Sequence, residues 1–278
     1  MSKVWFITGA NRGLGFEIAQ AALKAGDKVV ATGRDVAKTI AAFGGESDSL
    51  IVAKLDVTER AGIQAAVDRA VAQFGSVDVL VNNAGFGQLG VFEELTPDDI
   101  DYQFRVNVFG VFDVTRAVLP VMRKQRSGHI FNITSIGGLR GGAGYSMYAS
   151  TKFALEGFSE SLSLELAMFG IHVTAVEPGY FRTDFLDATS ARHGANPIAD
   201  YAESTAAQRE FMEGRNHNQQ GDPAKLALTL LELVKAAQPP QHFVVGTDAV
   251  EVLQTRIQRD TEQLATWREL SSSTDFTA

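Results

Sequence analysis

Between Ile133 and Lys152 the sequence runs I-T-S-I-G-G-L-R-G-G-A-G-Y-S-M-Y-A-S-T-K, and its Ser135, Tyr148 and Lys152 are side chains of the types that move protons. Tyr148 and Lys152 stand four positions apart at the start of an apolar-periodic run (Phe153, Leu155, Phe158, Leu162, Leu166). On a helix that spacing puts both on one face. Free tyrosine ionises at about pH 10, and a neighbouring cation favours the phenolate, with about 1.4 kcal/mol of interaction making the phenol tenfold more acidic. The pair is therefore expected to give and take a proton at neutral pH. Helices use the same spacing for plain surface contacts, so its meaning depends on what the rest of the chain brings to it.

The elements that must position these residues alternate. Short β-branched runs at Val4–Thr8, Lys28–Thr32, Ile51–Leu55, Val77–Val81, Ile130–Thr134 and Ile171–Val176 read as strands. Between them lie helical patterns at Gly13–Ala25, Asp35–Phe43, Glu59–Phe74, a long helix capped by Thr96 with Pro97 first and ending near Arg123, and the helix of Tyr148 and Lys152 as far as Phe169. Apolar strands alternating with helices predict a parallel sheet covered on both faces. From Asp184 to Gly221 the pattern breaks into polar residues and small helical pieces with scattered Phe185, Leu186, Tyr201, Phe211 and Met212; such an insertion in a compact domain is expected to be a binding loop, here a substrate cover. A helix opened by Asp222 and Pro223, a strand Phe243–Val245, and an amphipathic helix from Asp248 to about Leu270 with a polar tail complete the chain.

Several motifs fall at strand ends. T-G-A-N-R-G-L-G (Thr8 to Gly15) lies between the first strand and helix, where Gly9, Gly13 and Gly15 allow a tight turn, close approach to a pyrophosphate and helix-on-strand packing, and the helix N-terminus faces the anion. No Gly-Lys-Ser/Thr follows, which argues against a nucleoside triphosphate loop. After the second strand, where an acid would bind the ribose 2′-hydroxyl of NAD, stand Thr32, Gly33 and Arg34; Arg34 with Arg12 would clamp a 2′-phosphate, which favours NADP(H). Asp56 ends the third strand and fits either the adenine amine or the cap of the following turn. Asn82, Asn83, Ala84 and Gly85 end the fourth, small enough for a backbone passing close to a ligand or for an ordinary turn. Asn107 sits inside a helix, where Asn forms poorly, for a functional reason or as a tolerated kink. Pro178, Gly179 and Thr183 follow the sixth strand as a rigid turn and a hydroxyl that would close over a nicotinamide or simply turn the chain. The C-terminal strand edge is where doubly wound sheets bind ligands, and these motifs share it.

Composition narrows the function classes. Hydrophobic residues make up 45% of 278, enough for one large core, and 33 acids against 25 Lys plus Arg give a net charge of −8. With no basic block, neither nucleic acid nor a polybasic membrane patch is an expected partner. There is no cysteine, so disulfides and thiolate metal sites are excluded, and no metal is expected at the site. No apolar segment is long enough for a membrane span and the N-terminus lacks a signal peptide's regions, so a cytoplasmic protein is expected.

Together T-G-A-N-R-G-L-G, N-N-A-G, Ser135, Y-A-S-T-K and P-G resemble the short-chain dehydrogenase/reductase family in order and spacing, over roughly residues 3–185 and more loosely to 246. The resemblance implies a catalytic tetrad: Ser135 holding the substrate oxygen, Tyr148 exchanging its proton, Lys152 binding the nicotinamide ribose and assisting Tyr148, and Asn107 holding a water in a proton relay. It also implies that Gly9, Asn11, Arg12, Gly13, Leu14, Gly15, Arg34, Asp56, Val57, Asn83, Ala84, Gly85, Tyr148, Lys152, Pro178, Gly179 and Thr183 contact the dinucleotide, with Arg12 and Arg34 matching the NADP-preferring pattern.

The expected fold is thus α/β, a single-domain Rossmann-type doubly wound parallel sheet of about seven strands with helices on both faces, spanning 1–278, with 184–221 as substrate lid and 248–278 as C-terminal helix and tail. The expected activity is NADP(H)-dependent interconversion of a carbonyl and an alcohol on a lipophilic or aromatic small molecule, in a homodimer or homotetramer built on the long helices. The alternatives are an NADP(H)-binding sensor without turnover, and an epimerase or dehydratase on the same fold.

Overall fold

In a computed structural model, residues 2–187, 190–194 and 196–276 are described, so 188, 189 and 195 of the expected lid and 277 and 278 of the expected tail lie outside the described residues. The first half alternates as expected: β1 (Val4–Ile7), α1 (Gly13–Lys24), β2 (Lys28–Gly33), α2 (Val36–Phe43), β3 (Leu50–Lys54), α3 (Arg60–Phe74), β4 (Val79–Asn82) and a short β5 (Gly87–Leu89). Then follow α4 (Pro97–Phe104), α5 (Gly110–Gln125), β6 (Gly128–Ile133), α6 (Ser146–Leu166), β7 (Ile171–Pro178), β8 (Ala191–His193), α7 (Ala202–Arg215), α8 (Pro223–Lys235), β9 (His242–Val245) and α9 (Thr247–Ser272).

Seven strands form one parallel sheet in the order β3-β2-β1-β4-β6-β7-β9. The order reverses beside β1, so the crevice at the strand C-termini opens between the ends of β1 and β4. The alternation within β1 builds both faces: Val4 and Phe6 join the core under α3, α5 and α6 with Leu80, Val114, Met122, Ile130 and Leu162, while Trp5 and Ile7 join the core under α1 and α8 with Ile18, Phe131, Leu226 and Leu230. Each such large side chain, fully withdrawn from water, contributes about 1.5–3 kcal/mol. Trp5 keeps its indole N–H satisfied by donating to Asp27 at 2.8 Å.

Helix ends follow the local chemistry. Asp35 caps α2 by accepting from the Lys38 amide at 3.0 Å, and Thr96 with Asp99 forms a capping box before Pro97. Gly75 ends α3 at φ +82°, a left-handed conformation that costs glycine little.

Two features depart from the sequence expectation. The helix expected to run unbroken from Thr96 to Arg123 is interrupted by a π turn at Arg105–Phe109 that holds Asn107. The stretch after Asp184 is more ordered than its composition indicates: β8 pairs in parallel with β5, and α7 runs fourteen residues. Neither strand of that ribbon has a run long enough for alternation to show. Among the described residues no helix is long and apolar enough to cross a membrane.

Candidate active site

A cleft of about 320 Å³ opens along the C-terminal strand edge. Gly9, Asn11, Arg12, Gly13, Leu14, Arg34, Asp56, Val57, Asn83, Ala84, Gly85, Ser135, Tyr148, Lys152, Pro178, Gly179 and Thr183 all line it. Of the expected site residues, Gly15 and Asn107 alone stand behind its wall.

At one end is the glycine turn. Gly9 and Gly13 take φ of +64° and +57°, the left-handed region. A Cβ on Gly15 would stand 2.5 Å from the Asn83 amide and from the Gly9 oxygen, so this glycine serves close packing behind the cleft. Asn83 Nδ2 donates to the main-chain oxygens of Thr8 and Gly9 at 2.9 and 3.0 Å, and Thr8 Oγ1 accepts from the amides of Asn83 and Ala84. The turn after β4 thus fixes the turn after β1. No side chain caps the start of α1, which leaves its first amides to the cleft. Asn82 points away and donates to Thr115 and Asn132 inside the core.

Arg34 is exposed, and among the described residues nothing pairs with it. Asp35, its neighbour, is committed to the cap of α2 and does not quench it. Asp56 Oδ1 accepts from both the amide and the hydroxyl of Thr58, so the turn-capping role is present while the residue still faces the cleft. Arg12 Nη2 donates to Ser190 Oγ at 2.6 Å, tying the glycine turn to the segment after β7.

At the other end stand Ser135, Tyr148 and Lys152. Ser135 follows β6, its backbone extended and its Oγ accepting from the Gly137 amide at 3.0 Å; a Cβ on Gly137 would meet the Tyr148 ring at 3.1 Å and Ser135 Oγ at 3.5 Å, so the two side chains meet there. Lys152, one turn along α6 from Tyr148, is buried and donates to the Ile133 oxygen at 2.8 Å. Burial pushes the Tyr148 phenol up to about 12, with the nearby Ser135 hydroxyl opposing, and brings Lys152 down to about 8, with the Glu156 carboxylate opposing. Withdrawal from water sets the direction for the phenol, and the ammonium that the sequence pairs with it is aimed at a main-chain carbonyl.

Asn107 is buried in the π turn. Its Oδ1 accepts from the Phe86 amide at 3.1 Å, and its Nδ2 donates to the Phe86 oxygen at 2.9 Å and to Thr151 Oγ1 at 3.3 Å. The side chain thereby clamps the loop after β4 to α6. Thr183 caps a short turn by accepting from the Phe185 amide, and a Cβ on Gly13 would touch it at 3.6 Å.

Sequence reasoning missed Asp248, whose Oδ2 accepts from the Tyr180 amide at 2.7 Å and which leaves no room for a side chain at Gly179. It also missed most of the apolar wall, Phe86, Leu89, Tyr102, Tyr145 and Tyr180, and Arg192, which lies over the rings of Phe86 and Tyr102 at 5.1 and 5.0 Å. Phe185, noticed as apolar in a polar stretch, tilts against Tyr148 with ring centres 5.8 Å apart. Aromatics scattered through loops give no periodic signal; only the fold gathers these.

Compared with known proteins, residues 3–194 match the profile of the short chain dehydrogenase family. The chain belongs to that family. An oxidoreductase of Botryotinia fuckeliana (BOA17) is 39% identical over 274 residues, covering 98% of both chains. A 3-ketodihydrosphingosine reductase of Bacteroides thetaiotaomicron is 37% identical over 244 residues, 88% of each. Among solved structures, a short-chain dehydrogenase from Streptomyces avermitilis superimposes with a TM-score of 0.90 at 39% identity, covering 99% of this chain and 100% of that one. A short-chain dehydrogenase/reductase from Burkholderia phymatum in complex with NAD (TM-score 0.80, 26% identity, 100% and 98% covered) and a serine dehydrogenase complexed with NADP+ (0.75, 27%, 87% and 94%) carry both forms of the dinucleotide. This short-chain dehydrogenase is a dehydrogenase or reductase with the Rossmann-like sheet of its relatives.

Proposed function

We propose that the chain is an NADP(H)-dependent oxidoreductase that interconverts a carbonyl and an alcohol of a lipophilic or aromatic small molecule. The observation that carries this reading is that Ser135, Tyr148 and Lys152 line the same cleft as the glycine turn, with the Tyr148 ring and Ser135 Oγ meeting over Gly137.

The residues present fit a dinucleotide. Gly9 and Gly13 leave the floor open, α1 presents its N-terminal amides to a pyrophosphate, and Asp56, Val57, Ala84 and Gly85 line the path from the adenine end toward Lys152. Arg34, exposed and facing the cleft, together with Arg12, suits a ribose 2′-phosphate; this is the basis for NADP(H) over NAD. When bound, the nicotinamide supplies or accepts the hydride.

The protein's own part is orientation and proton handling. Ser135 Oγ holds the substrate oxygen. Tyr148 carries its proton at neutral pH, more firmly for being withdrawn from water, and donates it to the developing alkoxide in the reductive direction; the phenolate takes the alcohol proton in the oxidative direction. Lys152, which lines the cleft, would hold the nicotinamide ribose with its ammonium. Asn107 fixes the loop after β4 and acts as a positioning residue; the relay water of the family pattern would lie beyond a side chain whose oxygen and nitrogen both bond to protein. Pro178, Gly179 and Thr183 close the nicotinamide end.

Phe86, Leu89, Tyr102, Phe185, Leu186 and Met212 support an apolar substrate, as does the relative named for 3-ketodihydrosphingosine reduction. The chain works as one domain, with residues 184–221 as the substrate cover and 248–278 as a helix and tail. It assembles as a homodimer or homotetramer through the long helices, where Phe109, Phe153, Leu164 and Met168 are exposed. A panel of aldehydes and ketones followed by NADPH absorbance tests the reading: consumption with an apolar carbonyl is expected, and no consumption across aliphatic, aromatic and polycyclic carbonyls would sink it.

A further inference from the structure

One turn beyond Lys152 on α6, three side chains from three elements meet: Glu156 on α6 itself, Glu177 on β7 and His242 on β9. None of the three lines the dinucleotide cleft. Glu177 is 1% exposed and Glu156 8%. His242 Nδ1 lies 2.9 Å from Glu177 Oε1 and 3.1 Å from Glu156 Oε2. A single imidazole nitrogen thus faces two carboxylates. The other oxygens, Glu156 Oε1 and Glu177 Oε2, are buried with no hydrogen-bond partner among the described residues. A buried acceptor left unserved costs about 1–3 kcal/mol, more when charged, so each carboxylate keeps acceptor capacity that the imidazole does not use.

We propose that Glu156, Glu177 and His242 bind one divalent transition-metal ion of the Zn2+ class, at a site separate from the dinucleotide cleft. One ligand atom from each residue falls within 4.8 Å of the others. Zinc bonds of about 2.0–2.2 Å in tetrahedral geometry set ligand atoms roughly 3.4 Å apart, so once the ion replaces the Nδ1 proton the present 2.9 and 3.1 Å separations need to open by only a few tenths of an ångström, and rotation of either carboxylate would bring its unserved oxygen to the ion instead. Three protein ligands leave a fourth position for water, and a cavity of about 410 Å³ lined by Leu139, Phe153, Glu160, Leu253 and Arg256 provides it and an entry path. Two positive charges match the two carboxylates; the imidazole, which those carboxylates hold protonated in the free protein, gives up its Nδ1 proton as the ion binds. A nitrogen donor and three ligands suit zinc; magnesium demands about six oxygens in an octahedron. The neighbouring cations have other duties: Arg256 pairs with Asp260, and Lys152 with the Ile133 oxygen.

The cluster reaches the reaction centre through packing. A Cβ at Gly138, in the turn that begins at Ser135, would stand 2.7 Å from Glu156 Oε1. A metal there would join α6, β7 and β9 and stiffen the wall that carries Ser135.

The test is a titration of the chelator-treated full chain with Zn2+, and separately Mg2+, read by calorimetry and by metal content after equilibrium dialysis, repeated on His242→Gln and Glu177→Gln. One Zn2+ per chain is expected, weakened at least about tenfold in each variant, with little Mg2+ bound and NADPH affinity unchanged. Absence of stoichiometric zinc, equal binding of Mg2+, or zinc affinity indifferent to both substitutions would overturn it. Should Glu177→Gln fail to fold, His242→Gln decides, because its side chain is 41% exposed.

Discussion

Lys152 points its ammonium at the main-chain oxygen of Ile133, 2.8 Å away, while the same nitrogen stands 5.6 Å from the centre of the Tyr148 ring. Ile133 ends β6 and lies two residues before Ser135, so one strand end anchors the cation and carries the hydroxyl. The buried cation therefore belongs first to the sheet. With these contacts the phenol keeps its proton, and the group that titrates nearer to neutrality is the lysine.

That burial has a consequence for stability against pH. Lys152 titrates at about 8 in the fold and at 10.5 in its ordinary state, so between those values the unfolded chain binds more protons than the folded one. Stability then rises with pH across the window; the penalty is fully present below the folded value and gone above the unfolded one. Urea unfolding at about pH 7 and about pH 10 should show wild type gaining on the order of 1–3 kcal/mol relative to Lys152→Met. An unchanging difference between the two proteins would contradict the buried ammonium.

Arg34→Ala should weaken NADPH binding by on the order of ten- to a hundredfold, the contribution of one charge-assisted contact, and leave NADH little changed. Fluorescence titration with both dinucleotides checks it. Equal losses for both would remove the 2′-phosphate explanation.

The sheet, its helices and the glycine-turn end of the cleft were legible because their signals are local: β-branched runs, glycines, and caps such as Asp35, Thr96 and Asp222. The lid ribbon was not, since β5 and β8 are three residues each and pair across about a hundred positions. The π turn at Asn107 was visible only as a misplaced Asn. What fixes it is Phe86, far along the chain, through two hydrogen bonds. Whether the Tyr148 phenol rises or falls depends on how far the fold withdraws it from water, which spacing does not encode. Glu156, Glu177 and His242 lie on three elements with no shared spacing.

Asn107→Ala removes three buried hydrogen bonds and strands the Phe86 main chain. A loss of about 1–3 kcal/mol in stability is expected, with turnover falling more than NADPH affinity because the loop after β4 shifts. Unfolding and steady-state kinetics measure both; an undisturbed variant would show that the clamp is dispensable.

Light scattering should give a dimer or tetramer, and Phe109→Glu with Leu164→Glu, at exposed apolar positions, should shift it toward monomer. A monomeric wild type would rule out assembly through these helices.

The role proposed for the Tyr148 hydroxyl, beside Ser135 in the cleft, is to give and take the proton of the substrate oxygen. Comparing wild type with Tyr148→Phe on one carbonyl found by the NADPH screen, with both turnover and NADPH binding recorded, tests that role without intermediaries. Turnover should fall by about a thousandfold or more, with NADPH affinity within about threefold of wild type. A variant that retains turnover within about tenfold of wild type would exclude Tyr148 as the proton donor.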